Sequence, residues 1–137
     1  MARLIILRHG NTFDKGDTPT RVGARTDLSL SVSGHMQAHS LAAHFRDTVF
    51  RAAFCSPLLR TRQTARTILD ARPHAPALRI LPFLTEVDYG PDENQTEETV
   101  IARIGAEALA AWDRAATPPS GWQVDPVALR AAWANLL

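Results

Sequence analysis

Short apolar runs alternate with segments of helical periodicity along this chain, and this alternation constrains the fold more than any other feature. Three runs have the length of a strand and are rich in aliphatic residues, at positions 3–7, 49–55 and 78–81. The first run is expected to be a buried strand. Strands that alternate with helices predict an α/β fold, here a three-layer αβα arrangement with a mainly parallel sheet.

Four segments have the apolar spacing and the end signals of helices. In the first, Ala38, Leu41, Ala42 and Phe45 fall on one face. The third is expected to be one long helix that ends before Pro118. The expected helix starts are Gly34 after a Ser33 cap, Pro57, a cap at Asn94, and Pro126 after an Asp125 cap.

Composition sets limits on the class of protein. The chain has 137 residues, which is one domain's worth, and no stretch approaches the roughly 20 apolar residues of a membrane span. The single cysteine, Cys55, excludes an internal disulfide and predicts a cytoplasmic location. A net charge of +1 does not favour nucleic acid as a partner. Fourteen of the fifteen cationic side chains are arginine, the side chain that grips phosphate bidentately.

Polar motifs follow the first two predicted strands. Arg8, His9 and Gly10 come directly after the first, and Arg60 follows the second in a segment that opens a helix. The carboxyl ends of parallel strands are where ligands bind in such sheets, so these side chains are expected to converge. Two guanidinium groups would neutralise a phosphoryl group, and the imidazole between them could attack phosphorus.

A proton donor is needed to complete this chemistry. Glu86, in the loop after the third predicted strand, is the first candidate and Asp88 is the second. Each residue considered alone has a plainer interpretation. Arg60 would be a solvated residue of a helix, and Glu86 would be a carboxylate on a surface loop. His35 and His39 have a spacing that can hold zinc, but without a third ligand a solvated helix face is favoured, and no metal is predicted.

Four motifs in order resemble the histidine phosphatase superfamily, which is also called the phosphoglycerate-mutase-like family. They occupy residues 4–12, 26–38, 55–65 and 84–90, and they read LIILRHGNT, TDLSLSVSGHMQA, CSPLLRTRQTA and LTEVDYG. The resemblance implies that His9 is the phosphorylated nucleophile, that Arg8 and Arg60 bind the phosphoryl group, and that Glu86 donates the proton. Asn11 and Thr12 would lie at the pocket edge. The resemblance implies no cofactor.

The chain departs from the family pattern at two places. After Gly90 it reads Pro91-Asp92-Glu93-Asn94, in a loop that borders the family's pocket. The family also has a second pocket histidine on a late His-Gly turn, next to a strand that inserts into the centre of the sheet. The last histidine here is His74. We therefore expect residues 1–137 to be a single domain that is incomplete at its C-terminus and lacks the late central strand. A second polypeptide, a swapped copy or a severed remainder could complete the sheet.

The sequence predicts a phosphomonoester hydrolase that acts through a phosphohistidine intermediate. Its substrate would be a small phosphorylated metabolite or a phosphoprotein. Two alternatives remain at this level: a non-catalytic member or fragment that binds phosphate or a partner, and phosphoryl transfer of the phosphoglycerate-mutase type. A mutase must shield its phosphoenzyme from water, and this chain has little C-terminal material to form a lid. Hydrolysis is therefore the favoured interpretation.

Overall fold

A computed structural model describes residues 2–137, which form two compact units. The first contains the chain up to residue 17 together with residues 28–82. The second contains residues 18–27 and 83–137. The expectation of a single domain over residues 1–137 stays a prediction.

The first unit opens its regular structure with helix α1, Val32–His44. The Ser31 side chain caps this helix by accepting a hydrogen bond from the Gly34 amide at 3.1 Å. The predicted cap at Ser33 is therefore wrong, because the Ser33 hydroxyl donates to the carboxylate of Asp14 instead. These serine hydroxyls hold the pKa of Asp14 below its ordinary value. The predicted apolar face is confirmed at Ala38, which is fully buried.

The first unit also contains a β–α–β arrangement. Strand β1, Ala53–Cys55, pairs in parallel with strand β2, Leu78–Ile80, and helix α2, Leu59–Asp70, connects them. The register places Phe54 opposite Arg79. The parallel sheet and the helix between its strands confirm the α/β class. Helix α2 begins two residues later than predicted, since its first residue is Leu59 and not Pro57.

The prediction of a buried strand at residues 3–7 is wrong. The structure assigns no strand there, and the side chains of Leu4 and Ile6 are 50% and 73% exposed. Strand β1 is also shorter than predicted, and Val49 is 88% exposed. A strand needs a neighbour to hydrogen-bond with, and within the described residues the sheet has two strands that pair over three positions each.

The second unit contains three helices: α3, Glu97–Ile104; α4, Ala106–Ala115; and α5, Pro126–Leu136. The prediction of one long helix is wrong because Gly105, at φ +84°, breaks it into α3 and α4. The predicted cap at Asn94 is also wrong. Thr96 caps α3 by accepting from the Thr99 amide at 3.3 Å. The start of α5 is confirmed, since Asp125 accepts from the Ala128 amide at 3.0 Å.

Two aromatic side chains organise the core of the second unit. Tyr89 and Trp122 meet edge to face, with ring centroids 4.6 Å apart, and both are buried. Val100 and Leu109 complete this core, so α3 and α4 each contribute one buried side chain to it. Short 3₁₀ turns occur at Pro82–Leu84 and Gly90–Asp92. Across the described residues, every helix is too short or too polar to cross a membrane.

Candidate functional site

Two hydrogen bonds of the His9 imidazole indicate which ring nitrogen carries the proton. Its Nδ1 lies 2.6 Å from the carbonyl oxygen of Gly10, and its Nε2 lies 3.3 Å from Nε of Arg60. A carbonyl oxygen only accepts, so the proton resides on Nδ1. The lone pair of Nε2 then accepts from the Arg60 guanidinium. This is the tautomer in which Nε2 can act as a nucleophile.

Arg60 is fully buried, although it is the second residue of α2. The turn between β1 and α2 carries it there. Thr61 fixes this turn by donating to the carbonyl oxygen of Leu58 at 2.8 Å, and its hydroxyl lies 2.6 Å from that of Ser56. Burying a guanidinium is costly without acceptors around it. Nε2 of His9 is one of these acceptors, so the pairing of the two side chains is part of the fold of this turn.

The backbone beyond His9 is held by both neighbouring helices. The Gly10 amide donates to the hydroxyl of Thr64 in α2 at 3.1 Å. The Asn11 amide donates to Oε1 of Gln37 in α1 at 2.8 Å. Each helix thus supplies an acceptor to one of the two residues after the candidate nucleophile. Sequence reasoning gave neither Thr64 nor Gln37 a role, although both lie within the motifs that carry the family resemblance.

Backbone contacts also require glycine at two positions here. A Cβ on Gly10 would lie 2.4 Å from the carbonyl oxygen of Gly34, and a Cβ on Gly34 would lie 2.0 Å from that of Asn11. Backbone atoms at such distances cannot give way as a flexible side chain could. The start of α1 therefore lies against the loop after His9 because neither glycine carries a side chain.

An open cleft of about 870 Å³ lies beside His9 in the first unit. Arg8 and Asn11, both predicted site residues, lie on its wall, and the Arg8 side chain is exposed. Thr12 is half-buried and is not part of the wall. Helix α1 forms the remainder of the lining with Ser33, Met36, Gln37, Ser40, Leu41 and His44.

Glu86, the predicted proton donor, belongs to the second unit. Its side chain is exposed, and its Oε1 accepts from the Val87 amide at 2.9 Å and from the Tyr89 hydroxyl at 3.4 Å. Burial, together with the negative charge of Glu86, raises the pKa of Tyr89 to about 12. Tyr89 therefore keeps its proton at neutral pH and remains a donor to Glu86.

Asp88, the second candidate for the proton donor, has its carboxylate engaged in hydrogen bonds with other groups. Its Oδ1 accepts from the Gly90 amide at 2.8 Å and from Nε of Arg25 at 3.0 Å. These bonds, the Gly90 amide first, hold the pKa of Asp88 below its ordinary value. A carboxylate stabilised in its ionised form is a poor acid, which argues against Asp88 as the proton donor.

The loop that departs from the family pattern is anchored by buried carboxylates. The side chain of Asp92 is 1% exposed and accepts from Nε of Arg103 and from Nε1 of Trp122, each at 2.7 Å. The Arg103 guanidinium is the main cause that lowers the pKa of Asp92. Sequence reasoning did not find this role. The signal available was an acidic pair, Asp92-Glu93, and nothing in it distinguished a buried pair from a surface one.

The remaining sequence candidates are His35, His39 and Cys55. His35 and His39 are exposed on α1. Among the described residues, no group of three or more His, Cys, Asp or Glu side chains is arranged to hold a metal ion. Cys55 is buried, as expected of a small apolar residue, and burial raises the pKa of its thiol.

The family model of the histidine phosphatase superfamily (branch 1) matches residues 4–134 of this chain. The chain belongs to the histidine phosphatase superfamily. The match covers nearly the whole sequence, so the resemblance inferred from the four motifs is confirmed.

Relatives within this superfamily carry names of two kinds of enzyme. The chain is 30% identical to 2,3-bisphosphoglycerate-dependent phosphoglycerate mutase 2 of Gloeobacter violaceus, over 95% of this chain and 60% of that protein. It is 33% identical to the adenosylcobalamin/alpha-ribazole phosphatase of Salmonella typhimurium, over 80% of this chain and 52% of that protein. The chain thus spans between half and two thirds of the length of these relatives.

Solved structures confirm the phosphoglycerate-mutase-like fold. A mycobacterial glucosyl-3-phosphoglycerate phosphatase superposes with a TM-score of 0.76 at 25% identity, over 93% of this chain and 60% of that one. The alpha-ribazole phosphatase of Shigella flexneri superposes with a TM-score of 0.67 at 28% identity, over 85% of this chain and 56% of that one. This histidine phosphatase superfamily chain therefore shares its α/β architecture with phosphatases of known structure.

Proposed function

We propose that this chain carries the phosphoryl-transfer centre of a phosphomonoester hydrolase that acts through a phosphohistidine. The observation that carries the proposal is the His9–Arg60 contact. Nε2 of His9 accepts a hydrogen bond at 3.3 Å from the guanidinium of a fully buried arginine. A nucleophile and a buried cation at this separation suit a phosphoryl group, whose oxygens the cation neutralises while phosphorus is attacked.

The proposed reaction has two displacements at phosphorus. In the first, Nε2 of His9 forms a bond to phosphorus while the ester P–O bond breaks, and Arg8 and Arg60 carry the charge on the non-bridging oxygens. In the second, water attacks phosphorus, the N–P bond breaks, and inorganic phosphate leaves. Nδ1 stays bonded to the Gly10 carbonyl throughout, which holds the ring in one orientation.

Proton transfer is assigned to Glu86. As an acid it protonates the leaving oxygen, and as a base it then takes a proton from the attacking water. Support comes from the position of Glu86 within the matching motif at residues 84–90 and from the commitment of Asp88 to Gly90 and Arg25. Asn11 and Thr12 are assigned to the pocket edge on the motif match alone.

The experiment that tests this mechanism uses a chromogenic aryl phosphate. The wild-type chain and His9→Ala are incubated with p-nitrophenyl phosphate and quenched at alkaline pH, where phosphohistidine persists. We expect turnover and an acid-labile phosphoprotein with the wild type only. Equal rates for the two proteins, with no acid-labile phosphate, would show instead a non-catalytic member that binds phosphate or a partner.

Phosphoglycerate-mutase-type transfer is the second candidate, and the name of the Gloeobacter relative favours it. The two reactions share the phosphohistidine and differ in what accepts its phosphoryl group. The two reactions are distinguished by incubating the phosphoprotein, prepared with a labelled phosphoryl group, with 3-phosphoglycerate. Label recovered in inorganic phosphate supports hydrolysis, and label recovered in a bisphosphoglycerate supports the mutase.

The proposed substrate is a small phosphorylated metabolite, and the names of the ribazole and glucosyl-3-phosphoglycerate phosphatases support this class. The proposed location is the cytoplasm, where a buried and unpaired Cys55 is stable as a thiol.

A strand from a second polypeptide or a second copy is proposed to pair with residues 3–7. Exposure of the apolar side chains of Leu4 and Ile6 supports this proposal. Sedimentation of the purified protein tests it. A mass of two chains, or a co-purifying second chain, agrees with the proposal, and a lone monomer at high concentration contradicts it.

A further inference from the structure

Glu93 is a buried carboxylate that joins two segments of the second unit. Its side chain belongs to the interior, with 9% of the residue exposed. Oε1 accepts hydrogen bonds from the Arg25 amide at 2.8 Å and from the Thr26 hydroxyl at 2.9 Å. Oε2 accepts from the Tyr89 amide at 3.0 Å. One carboxylate therefore fastens the segment at residues 25–26 to the segment that carries Tyr89.

The two segments also meet directly, at a place where a side chain would not fit. The Ala24 amide donates to the carbonyl oxygen of Val87 at 3.0 Å, an ordinary length for such a hydrogen bond. A Cβ on Gly23 would lie 1.9 Å from Oε2 of Glu93 and 2.4 Å from that same carbonyl oxygen. The absence of a side chain at Gly23 thus lets Glu93 reach the Tyr89 amide.

The segment that Glu93 holds contains Glu86. Tyr89 has its main chain held by Glu93 and its ring packed against Trp122, and its hydroxyl donates to Glu86 at 3.4 Å. The Val87 amide donates to Glu86 as well. Both donors to Glu86 therefore belong to residues whose own backbone is fixed by the contacts with residues 23–26 and with Glu93.

We propose that Glu93 is a positioning residue for the proton donor Glu86. It acts by holding the backbone of residues 87–89. The Val87 amide and the Tyr89 hydroxyl in this segment then orient the Glu86 carboxyl group. This inference rests on the proposed function, because it takes Glu86 as the acid and base of the reaction. It adds a role for a residue in the loop where the chain departs from the family pattern.

The chemistry of the site requires a carboxylate and not its amide. All three partners of Glu93 are donors, an arrangement that two oxygens satisfy. In Glu93→Gln, one of these oxygens becomes an NH₂ group, which would face a donor. The variant keeps the shape of the side chain but loosens one of the two segments. Thr26→Val is a milder second variant, since it removes one donor and leaves the carboxylate in place.

The experiment compares two esters that differ in their need for an acid. The kcat/KM values of the wild type, Glu93→Gln, Thr26→Val and Glu86→Gln are measured with p-nitrophenyl phosphate and with glycerol 2-phosphate. The nitrophenolate leaves without a proton, but the glycerol alkoxide requires one. We expect the kcat/KM of Glu93→Gln to fall about tenfold more on the glycerol ester than on the nitrophenyl ester, with the same bias as in Glu86→Gln. Thr26→Val should show the same bias to a smaller extent. Glu107→Gln is the matched control, because Glu107 is exposed on α4 in the same unit.

A merely structural role would lower both rates together, so an equal loss on the two esters, or no loss, overturns the inference. The same series separates the inference from the proposed function. If His9→Ala is as active as the wild type, or the wild type hydrolyses neither ester, the proposed function fails and so does the assignment to Glu86. Hydrogen exchange of the Arg25 and Tyr89 amides then still decides whether Glu93 holds the loop. Exchange that is no faster in Glu93→Gln than in the wild type overturns that as well.

Discussion

The backbones of Gly10 and Gly34 touch, so that a Cβ on Gly10 would lie 2.4 Å from the carbonyl oxygen of Gly34. This contact sets the loop after His9 against the first turn of α1. The Ser31 amide adds a hydrogen bond to the Asn11 carbonyl oxygen at 2.9 Å across the same boundary. The position of the candidate nucleophile therefore depends on two residues that have no side chain.

We predict that Gly34→Ala destabilises the protein. In an open helix position this change stabilises by about 1 kcal/mol, because alanine has the higher helix propensity. Here the added Cβ would lie 2.0 Å from the Asn11 carbonyl oxygen, so a loss of about 1–3 kcal/mol is expected from overpacking. Urea unfolding measures the change, with His39→Ala on the exposed face of α1 as the control. A stabilised Gly34→Ala would contradict the contact.

A second prediction compares two threonines on α2. Thr64 and Thr67 each donate to the carbonyl oxygen four residues earlier, at 2.9 Å, but only Thr64 also accepts from the Gly10 amide. Thr64→Val leaves that buried N–H without its acceptor, which costs about 1–2 kcal/mol more than Thr67→Val. We also expect a drop of about tenfold in turnover for Thr64→Val, since His9 follows the displaced loop. Equal free energies of unfolding for the two variants would show that the Gly10 bond contributes nothing.

The third prediction concerns the titration of Tyr89, which is the only tyrosine in the chain. Its pKa is raised to about 12, first by burial and then by the charge of Glu86. Phenolate absorbance followed against pH should therefore have its midpoint near 12 in the folded protein and near 10 in denaturant. Because the folded pKa is the higher one, the stabilisation by neutral Tyr89 is complete below about pH 10 and is lost as the pH rises toward 12. A folded-state midpoint near 10 would mean that the ring is exposed.

The fourth prediction uses the Asp92–Arg103 pair. Asp92→Asn removes the charge that Arg103 and Trp122 face in a buried position, so a loss of about 2 kcal/mol is expected at neutral pH. The pKa of Asp92 is lowered in the folded state. The difference between wild type and variant is therefore full above about pH 4 and shrinks as the pH falls through the folded pKa.

Unfolding of Asp92→Asn and wild type at a series of pH values checks this dependence. Asp113→Asn serves as the control, because Asp113 is exposed on α4 in the same unit. A difference that stays constant down to the most acidic pH at which both proteins fold would show that charge is not what Asp92 contributes.

Some predictions that depend on short-range signals agree with the structure, whereas the caps predicted at Ser33 and Asn94 do not. The start of α5 follows from Asp125 and Pro126, which cap and begin a helix without help from the rest of the fold. Strand β2 matches its predicted run to within one residue. The placing of His9 and Arg60 after apolar runs was enough to anticipate their convergence, and the structure brings their side chains into contact.

Predictions that depend on distant partners fail more often. Residues 3–7 have the composition of a buried strand, but the described sheet gives them no partner. The long helix predicted after Asn94 breaks for a local reason instead, at Gly105, whose positive φ the apolar periodicity does not reveal. The buried carboxylates of Asp92 and Glu93 look like any exposed acidic pair until Arg103, Trp122 and residues 25–26 are brought to them.

The sequence by itself determined the family, the α/β class, and the residue types available for phosphoryl chemistry, because these depend on neighbouring residues and on local motifs. Only the tertiary structure decided the hydrogen-bond partners of His9, the burial of Arg60, and the lowered pKa of Asp88. Each of these depends on hydrogen bonds or on desolvation by other parts of the chain. The chemistry of an ionisable side chain is set by the groups that surround it, and those groups are assembled only when the chain folds.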